Sequence, residues 1–308
     1  MKLTSNTGLT QTRPGSTIRR LMAAGILVAL SLAMPKPARA GRLGSDIIAL
    51  FPKEIGEFAY ADLKKARSLK WFSQLQEQML PERFRQFEKF LASAGVDPNS
   101  TEAFFKQQKL PTFKARGYTL YAFGTGSGAN DLFFFFIDSN TAAFGHRAVL
   151  EKMIEVRFGS EEGLLRNDKL FPLINEANGS GVVWAVLNPA YTRLAMQQLA
   201  PEVGQFPEAA KLVARMQNMI INVDASSGID GKFQAVCGST EDANTLGQLL
   251  QAGFLYKRYQ AQKDNPDLAQ LLDQARVTPG GDRVTLRMSL SDAQMTSLIR
   301  KNTFALKM

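Results

Sequence analysis

The stretch Asn167–Leu194, NDKLFPLINEANGSGVVWAVLNPAYTRL, decides how the rest of the chain is interpreted. It has the order of a short helix, a tight turn at NGSG, an apolar strand and a second helix. Asn188 followed by proline is typical of a helix start, because asparagine caps the first amides and proline fits the first turn. The pattern therefore predicts a strand over Val182–Leu187 with a helix on each side.

A similar order closes the chain in Asn265–Ile299, NPDLAQLLDQARVTPGGDRVTLRMSLSDAQMTSLI, where TPGGD is expected to be a turn. Strand-then-cap patterns also recur, since FAYADL from Phe58 parallels VVWAVLN. The matching positions are Asn167, Leu170 and Leu187 in one copy and Asn265, Leu268 and Leu290 in the other. We interpret these parallels as an internal duplication.

Two copies predict an α+β fold made of two tandem related units, with antiparallel sheets covered by helices on one face. The first unit is placed at residues 41–181 and the second at 182–308, with one continuous pseudo-symmetric domain as the alternative. The strand Val182–Leu187 is expected to finish the first unit and to start the second. Trp184 within it is then a buried structural residue.

Residues 1–40 have the organisation of a secretory signal peptide. A basic, acid-free start precedes the uncharged run Leu21–Met34, and Ala38-Arg39-Ala40 fits an A-x-A cleavage site. The run is shorter than the about 20 residues that span a bilayer. We expect cleavage after Ala40 and a periplasmic or extracellular location. An uncleaved anchor is the alternative, and the pair Arg19-Arg20 leaves the choice between Sec and twin-arginine export open.

Charge and cysteine content exclude several classes of function. The first 40 residues hold six of the 37 lysines and arginines and no acid, which leaves 31 basic and 28 acidic residues, a net charge of +3. A nucleic-acid partner is therefore not expected. The single cysteine, Cys237, cannot form an intramolecular disulfide, and a single histidine excludes a Cys–His zinc site. We expect no metal and no cofactor.

Residues 99–117 are predicted to be the least regular part of the mature chain. Basic and aromatic residues alternate there, and no acid occurs between Glu102 and Asp131. Such a mixture can bind an anionic lipid, glycan or nucleic acid; the alternative is a solvated loop whose aromatic side chains pack on the core. The candidate binding residues are Phe104, Phe105, Lys106, Lys109, Phe113, Lys114 and Arg116.

Other motifs favour structural roles. LFFFFI at Leu132–Ile137 predicts a central strand buried on both faces. The glycine-rich GTGSGAN before it joins two strands, so a hairpin turn is favoured over a phosphate loop. His146 is expected to be a surface or capping residue, and Cys237 a small buried hydrophobe.

A helical stripe of Phe84, Phe87, Phe90 and Leu91 predicts core packing. The spacing of Asp224 and Asp230 does not fit a calcium loop.

The layout resembles secreted bacterial proteins of unknown function. The segments that carry the resemblance are Phe51–Leu63, the turn Gly95–Pro98, Glu241–Ala243 and Ser289–Gln294. The resemblance implies export but no activity. We therefore expect a non-enzymatic protein that binds or scaffolds in the cell envelope. The alternatives are binding of an anionic lipid or envelope polymer through residues 104–118, and a hydrolase with two carboxylates about 5–10 Å apart.

Overall fold

The computed structural model describes residues 42–79 and most of 103–300, with gaps at 104–105, 108, 124, 129–130, 138–141, 200–206, 226–227 and 265. The leader with its expected cleavage site, the stripe Phe84–Leu91 and the turn Gly95–Pro98 lie outside the described residues. Phe104 and Phe105 also lie outside them.

The described strands are all antiparallel and form two sheets. The strands are β1 Glu57–Ala61, β2 Thr112–Ala115, β3 Tyr118–Ala122, β4 Leu132–Phe136, β5 Ala142–His146, β6 Val183–Leu187, β7 Asn218–Asp224, β8 Ile229–Val236, β9 Arg276–Gly280 and β10 Arg283–Leu290. The larger sheet has the order β1-β6-β7-β8-β10-β9, and the smaller has the order β2-β3-β4-β5.

Helices connect and cover these sheets. They are α1 Ser45–Ile48, α2 Leu63–Arg67, α3 Phe72–Met79, α4 Arg147–Arg157, α5 Phe171–Ala177, α6 Pro189–Leu199, α7 Pro207–Arg215, α8 Thr240–Asp264, α9 Pro266–Gln274 and α10 Asp292–Arg300, with a short 3-10 turn at Leu164–Arg166. Helices combined with antiparallel sheets confirm the predicted α+β class.

Strand β6, the apolar strand of the opening stretch, lies between β1 and β7. It therefore pairs with one strand from each of the two predicted units. Trp184 on β6 is fully buried, and its ring stacks on Phe58 and Tyr60 at centroid distances of 5.6 and 5.7 Å. The burial predicted for Trp184 is confirmed.

The larger sheet is covered on both of its faces. Trp184 and Val186 belong to a core that also includes helical residues of α4 and α5. Leu187 and Met219 belong to a second core with residues of α6, α7 and α8. Because successive strand residues point to opposite faces, the two cores lie on opposite sides of the sheet. Helices thus cover two faces here, not one.

The local order of the duplicated segments recurs, but their strand pairing differs. Strand β6, in the first copy, pairs with β1 and β7. Strand β10, in the second copy, pairs with β8 and β9. The predicted turn at residues 278–282 is wrong in extent, because residues 276–280 form β9 and only Gly281 and Asp282 turn. Pro279 is tolerated because β9 is an edge strand, where proline removes no ladder bond.

A third cluster joins the beginning of the described chain to its end. Trp71, which precedes α3, packs against Met295 and Ile299 of α10. Its indole N–H also donates a hydrogen bond to a carboxylate oxygen of Asp292 at 3.1 Å. Gln78 of α3 donates to the carbonyl of Ile299 at 2.6 Å. Helix α3 is therefore held by α10, the last helix in the described part of the chain.

Candidate functional site

The basic–aromatic segment, predicted to be irregular, contains a β-hairpin. Residues Thr112–Ala115 form β2, the edge strand of the smaller sheet, and pair with β3. Arg116 and Gly117 connect the two strands with φ angles of 45° and 87°. Two successive positive φ angles are typical of a type I′ hairpin turn. The prediction of irregular structure is thus wrong at residues 112–117, since a strand of four residues is too short to give a clear alternating pattern.

The aromatic side chains of this hairpin point into the core. The Phe113 ring lies 5.6 Å from the Phe133 ring, and the Tyr118 ring lies 5.4 Å from the Phe135 ring, both in edge-to-face contacts. Phe113 and Tyr118 are half-buried. Phe113 and Tyr118 therefore anchor the hairpin, as in the alternative of aromatics packed on the core.

Arg116 is held by helix α4. Its guanidinium donates two hydrogen bonds to the carboxylate of Glu155, at 2.9 and 2.8 Å, and a third to the Ser160 hydroxyl at 3.2 Å. The guanidinium carbon also lies 5.4 Å from the centre of the Phe158 ring. The hydrogen bond from Arg116 lowers the pKa of Glu155, and the same bond raises the pKa of Arg116. Arg116 thus fixes the turn, and its charge is balanced locally.

The three lysines of the candidate set are exposed. Lys106 and Lys109 precede β2, and Lys114 projects from it toward solvent. The Lys114 ammonium also donates a hydrogen bond to the Thr119 hydroxyl on β3. An ammonium is a compact charge with rotatable donors, so these groups suit a phosphate or carboxylate without imposing one geometry. The structure thus keeps the lysines at the surface and turns the described aromatic residues, Phe113 and Tyr118, inward.

Arg147 was missed by the sequence reasoning, although it contacts this hairpin. Its guanidinium carbon lies 4.4 Å from the centre of the Phe113 ring, and it pairs with Glu151 at 2.7 Å. The pair spans one turn of α4, a spacing that sequence can reveal. The contact with Phe113 depends on the sheet pairing, which the sequence does not reveal.

The glycine-rich loop before β4 is closed by a side chain of the protein. One carboxylate oxygen of Asp131 accepts hydrogen bonds from the backbone amides of Gly126 and Gly128, at 2.7 and 3.1 Å, and from the Thr125 hydroxyl at 3.1 Å. An anion-binding loop offers such amides to a ligand phosphate. Here Asp131 occupies that position, in agreement with the predicted hairpin turn.

His146 and Cys237 both have structural environments. The His146 ring lies 3.3 Å from the carbonyl oxygen of Asp131, and His146 gives no side-chain cap to α4. Cys237 is buried in the second core. Burial raises the pKa of its thiol to about 11, with further contributions from Asp242 and Asp282. Because the thiolate is the reactive form, this environment suppresses nucleophilic chemistry.

Glu57 is a half-buried acid that the sequence reasoning missed. It begins β1 and lies opposite Leu187, on the face of the sheet that α6 covers. Burial raises the pKa of its carboxyl group to about 6. Burial is the one cause of this shift, so no neighbouring acid in the described part of the chain contributes to the pKa of Glu57, unlike the coupled carboxylates of many hydrolases.

A shallow apolar pocket of about 10 Å³, room for about one water molecule, lies where α4 meets β4. It is lined by Leu50, Phe135, Ile137, Met153, Ile154 and Arg157. Ligand pockets for small molecules usually measure about 300–1,000 Å³ and carry several converging polar groups. This pocket has one charged residue and no carboxylate. Among the described residues, no group of three metal-ligating side chains comes together.

An exposed apolar surface lies on the second half of α8. Leu255, Tyr256 and Tyr259 are 60, 64 and 74% exposed. With Leu249, which is 39% exposed, and the exposed Ala252, they form what we call the α8 stripe. No described helix combines the length and apolar character needed to cross a bilayer.

Comparison with protein-family models, curated proteins and solved structures gave no significant match. A function for this chain is therefore inferred from its geometry and its sequence patterns.

Proposed function

We propose that this chain is an exported, non-enzymatic protein that binds or scaffolds another component of the cell envelope. The leader pattern of residues 1–40 supports export, and the resemblance to secreted proteins agrees with it. The observation that carries the binding role is the β2 edge, where exposed Lys114 projects from a hairpin fixed by Arg116 and Glu155. Exposed Lys106 and Lys109 come just before this strand.

The hairpin is suited to binding because it is pre-organised. Phe113 anchors it to the core, and the two hydrogen bonds from Arg116 to Glu155 hold its turn. A surface that is ordered before binding loses little conformational entropy when a partner arrives. Lysines on an edge strand also protect a sheet against aggregation, so an experiment has to separate the two roles.

The test is co-purification of the exported protein from its native envelope after mild cross-linking. We expect a bound component that K109E/K114E loses and that the matched control K152E/K169E, on exposed lysines elsewhere, retains. If nothing is captured, or if both variants capture equally, the proposal is wrong. Aggregation of K109Q/K114Q with unchanged capture would assign the lysines to edge protection alone.

A second candidate function is binding of an anionic lipid or envelope polymer through residues 104–118. The observation that favours it is the exposure of Lys106, Lys109 and Lys114 in a region without acids between Glu102 and Asp131. Exposed charges act over about 10 Å at 0.1 M salt. Binding of this kind should therefore weaken steeply as salt is added.

Its test is charge reversal in K106E/K109E/K114E, with K70E/K152E/K169E as a control that makes the same change in net charge. We expect salt-sensitive binding to anionic vesicles or polymer to disappear in the first variant and to persist in the second. Adding R116E gives the full fourfold reversal, but this change also breaks the pair with Glu155 and is best measured separately. Absence of binding by the wild-type protein would contradict the idea.

A further inference from the structure

The α8 stripe lies on the side of the helix that faces away from the core. Leu246 and Ala243 of α8 are buried in the second core, and Ala261 is 8% exposed. Ala252, Leu255, Tyr256 and Tyr259 follow the spacing i, i+3, i+4 and i+7, which places them on one helix face. The second half of α8 therefore has apolar side chains on two sides, and only one of them is packed.

The second half of α8 is rich in basic residues, although Asp264 ends the helix. No aspartate or glutamate occurs in residues 243–263, whereas Lys257, Arg258 and Lys263 do. Arg258 pairs with Asp273 of α9. Lys263 is exposed and follows Tyr259 by four residues, so it extends the same face by one turn. The stripe thus combines leucine and tyrosine with one exposed lysine, Lys263.

We propose that the α8 stripe docks on the headgroup region of a bilayer that contains anionic phospholipids. Tyrosine has an apolar ring and a polar tip, which suits the boundary between acyl chains and headgroups. Helices that lie in this boundary carry apolar residues on one face and lysine or arginine beside them. This inference deepens the proposed function by naming a partner, and it rests on that function only for the location.

A second copy of the chain is the competing occupant of the stripe, and the exposed area disfavours it. The three most exposed side chains offer on the order of 400 Å², taking about 200 Å² for a large side chain. A stable protein interface buries about 800 Å² on each partner. A bilayer surface has no such minimum, because shallow insertion adds to attraction between the cations and the lipid charge.

The experiment measures binding of the exported full chain to vesicles of phosphatidylglycerol and phosphatidylcholine, and to vesicles of phosphatidylcholine alone. We expect binding to the anionic vesicles, a loss of at least about tenfold in L255S/Y256S/Y259S and a loss of about fivefold in K263Q. L165S is the matched control, because Leu165 is also exposed, at 39%, but lies outside the stripe. Unchanged circular dichroism and melting temperature establish that each variant is folded.

Three results would overturn the inference. The first is no binding to anionic vesicles, and the second is equal binding by the triple variant. The third is a concentration-dependent dimer that the triple variant abolishes while vesicle binding is unchanged, which would assign the stripe to a second copy. The proposed function can survive even if this inference fails. That outcome is an envelope component captured equally by the wild type and the triple variant, together with no binding to vesicles.

Discussion

Ala59 of β1 and Ala185 of β6 are paired at the centre of a ladder whose two halves are equivalent. The amide of Asp62 donates to the carbonyl of Val182 at 2.8 Å. At the other end, the amide of Asn188 donates to the carbonyl of Gly56, also at 2.8 Å. Gly56 and Asp62, which flank β1, thus correspond to residues flanking β6 that lie 126 positions later (182 − 56 and 188 − 62).

This local two-fold relation extends to the helices that come after the two strands. The Asp62 side chain accepts a hydrogen bond from the amide of Lys65 at 2.9 Å, and the Asn188 side chain accepts one from the amide of Tyr191 at 3.0 Å. Both are N-caps in the usual sense. The relation supports the proposal that the chain contains two related units, although their later strands pair differently.

Trp184 is expected to be one of the largest contributors to stability. W184A removes a fully buried ring that stacks on Phe58 and Tyr60, and it should lower the free energy of unfolding by about 3–5 kcal/mol. Urea denaturation followed by circular dichroism measures the change. W184F, which keeps an aromatic ring, should cost less. A W184A protein of wild-type stability would contradict the structural role of this residue.

Glu57 should make the protein less stable as the pH rises through the range 4.5–6. Its pKa is about 6 in the folded state, against 4.5 when unperturbed, so the folded state binds more protons in this window. By linkage, the stability contribution of Glu57 is fully present below pH 4.5 and is lost above pH 6, an effect of about 2 kcal/mol at most.

The variant E57Q should remove this dependence and raise the melting temperature at neutral pH. Melting temperatures of wild type and variant, measured across the acidic and neutral range, provide the test. E54Q is the control, since Glu54 is exposed. If the two proteins keep the same difference in melting temperature across the pH range, the raised pKa of Glu57 is refuted.

Cys237 should not react with thiol reagents in the native protein. Its thiol is 5% exposed and its pKa is about 11, so the reactive thiolate is scarce near neutral pH. Incubation with Ellman's reagent is expected to give no fast reaction until urea unfolds the chain. Rapid labelling without denaturant would show that the second core opens at this position.

The Trp71–Asp292 hydrogen bond should stabilise the contact between α3 and α10. W71F keeps an apolar ring but loses the indole N–H, and we expect a cost of about 1 kcal/mol. Hydrogen exchange in residues 72–79 and 292–300 should rise together, because these helices pack on each other. D292N is the control that retains a side-chain oxygen acceptor. Faster exchange confined to one helix would argue against their coupling.

Asp131 should control the order of the glycine-rich loop. D131A leaves the amides of Gly126 and Gly128 without their acceptor, so both should exchange faster with solvent. Amide exchange measured by NMR gives the result directly. The exchange of β4 amides, which bond to β3 and β5, is the internal control. Unchanged loop amides would mean that Asp131 does not close the loop.

Sequence reasoning is most successful where burial is strong. The run Leu132–Ile137 predicts a central strand, and β4 lies between β3 and β5 with Phe133, Phe134 and Phe135 each 2% exposed. An uninterrupted apolar run of this length has few other ways to be buried. The prediction of Cys237 as a small buried hydrophobe is also confirmed, since this residue is buried in the second core.

Sequence reasoning fails where the structure of a short segment depends on the strands that pair with it. Strands β2 and β9 contain lysine, proline or glycine and become strands because β3 and β10 supply their ladder bonds. The candidate site divides in a similar way. The exposure of Lys114 and the anchoring of Phe113 result from alternation along β2, while the partner of Arg116, Glu155, lies 39 residues away in sequence. Such pairings are properties of the tertiary fold.

The contact between α3 and α10 has a consequence for how the chain acquires its structure as it emerges N-terminus first. Trp71 can form its hydrogen bond with Asp292 only after 221 further residues have been synthesised. Strand β1 likewise can pair only after β6 has been synthesised. Contacts of such long sequence separation form late and slow the folding of a chain. The segments around β1 and α3 therefore stay incomplete until α10, the last described helix, has been synthesised.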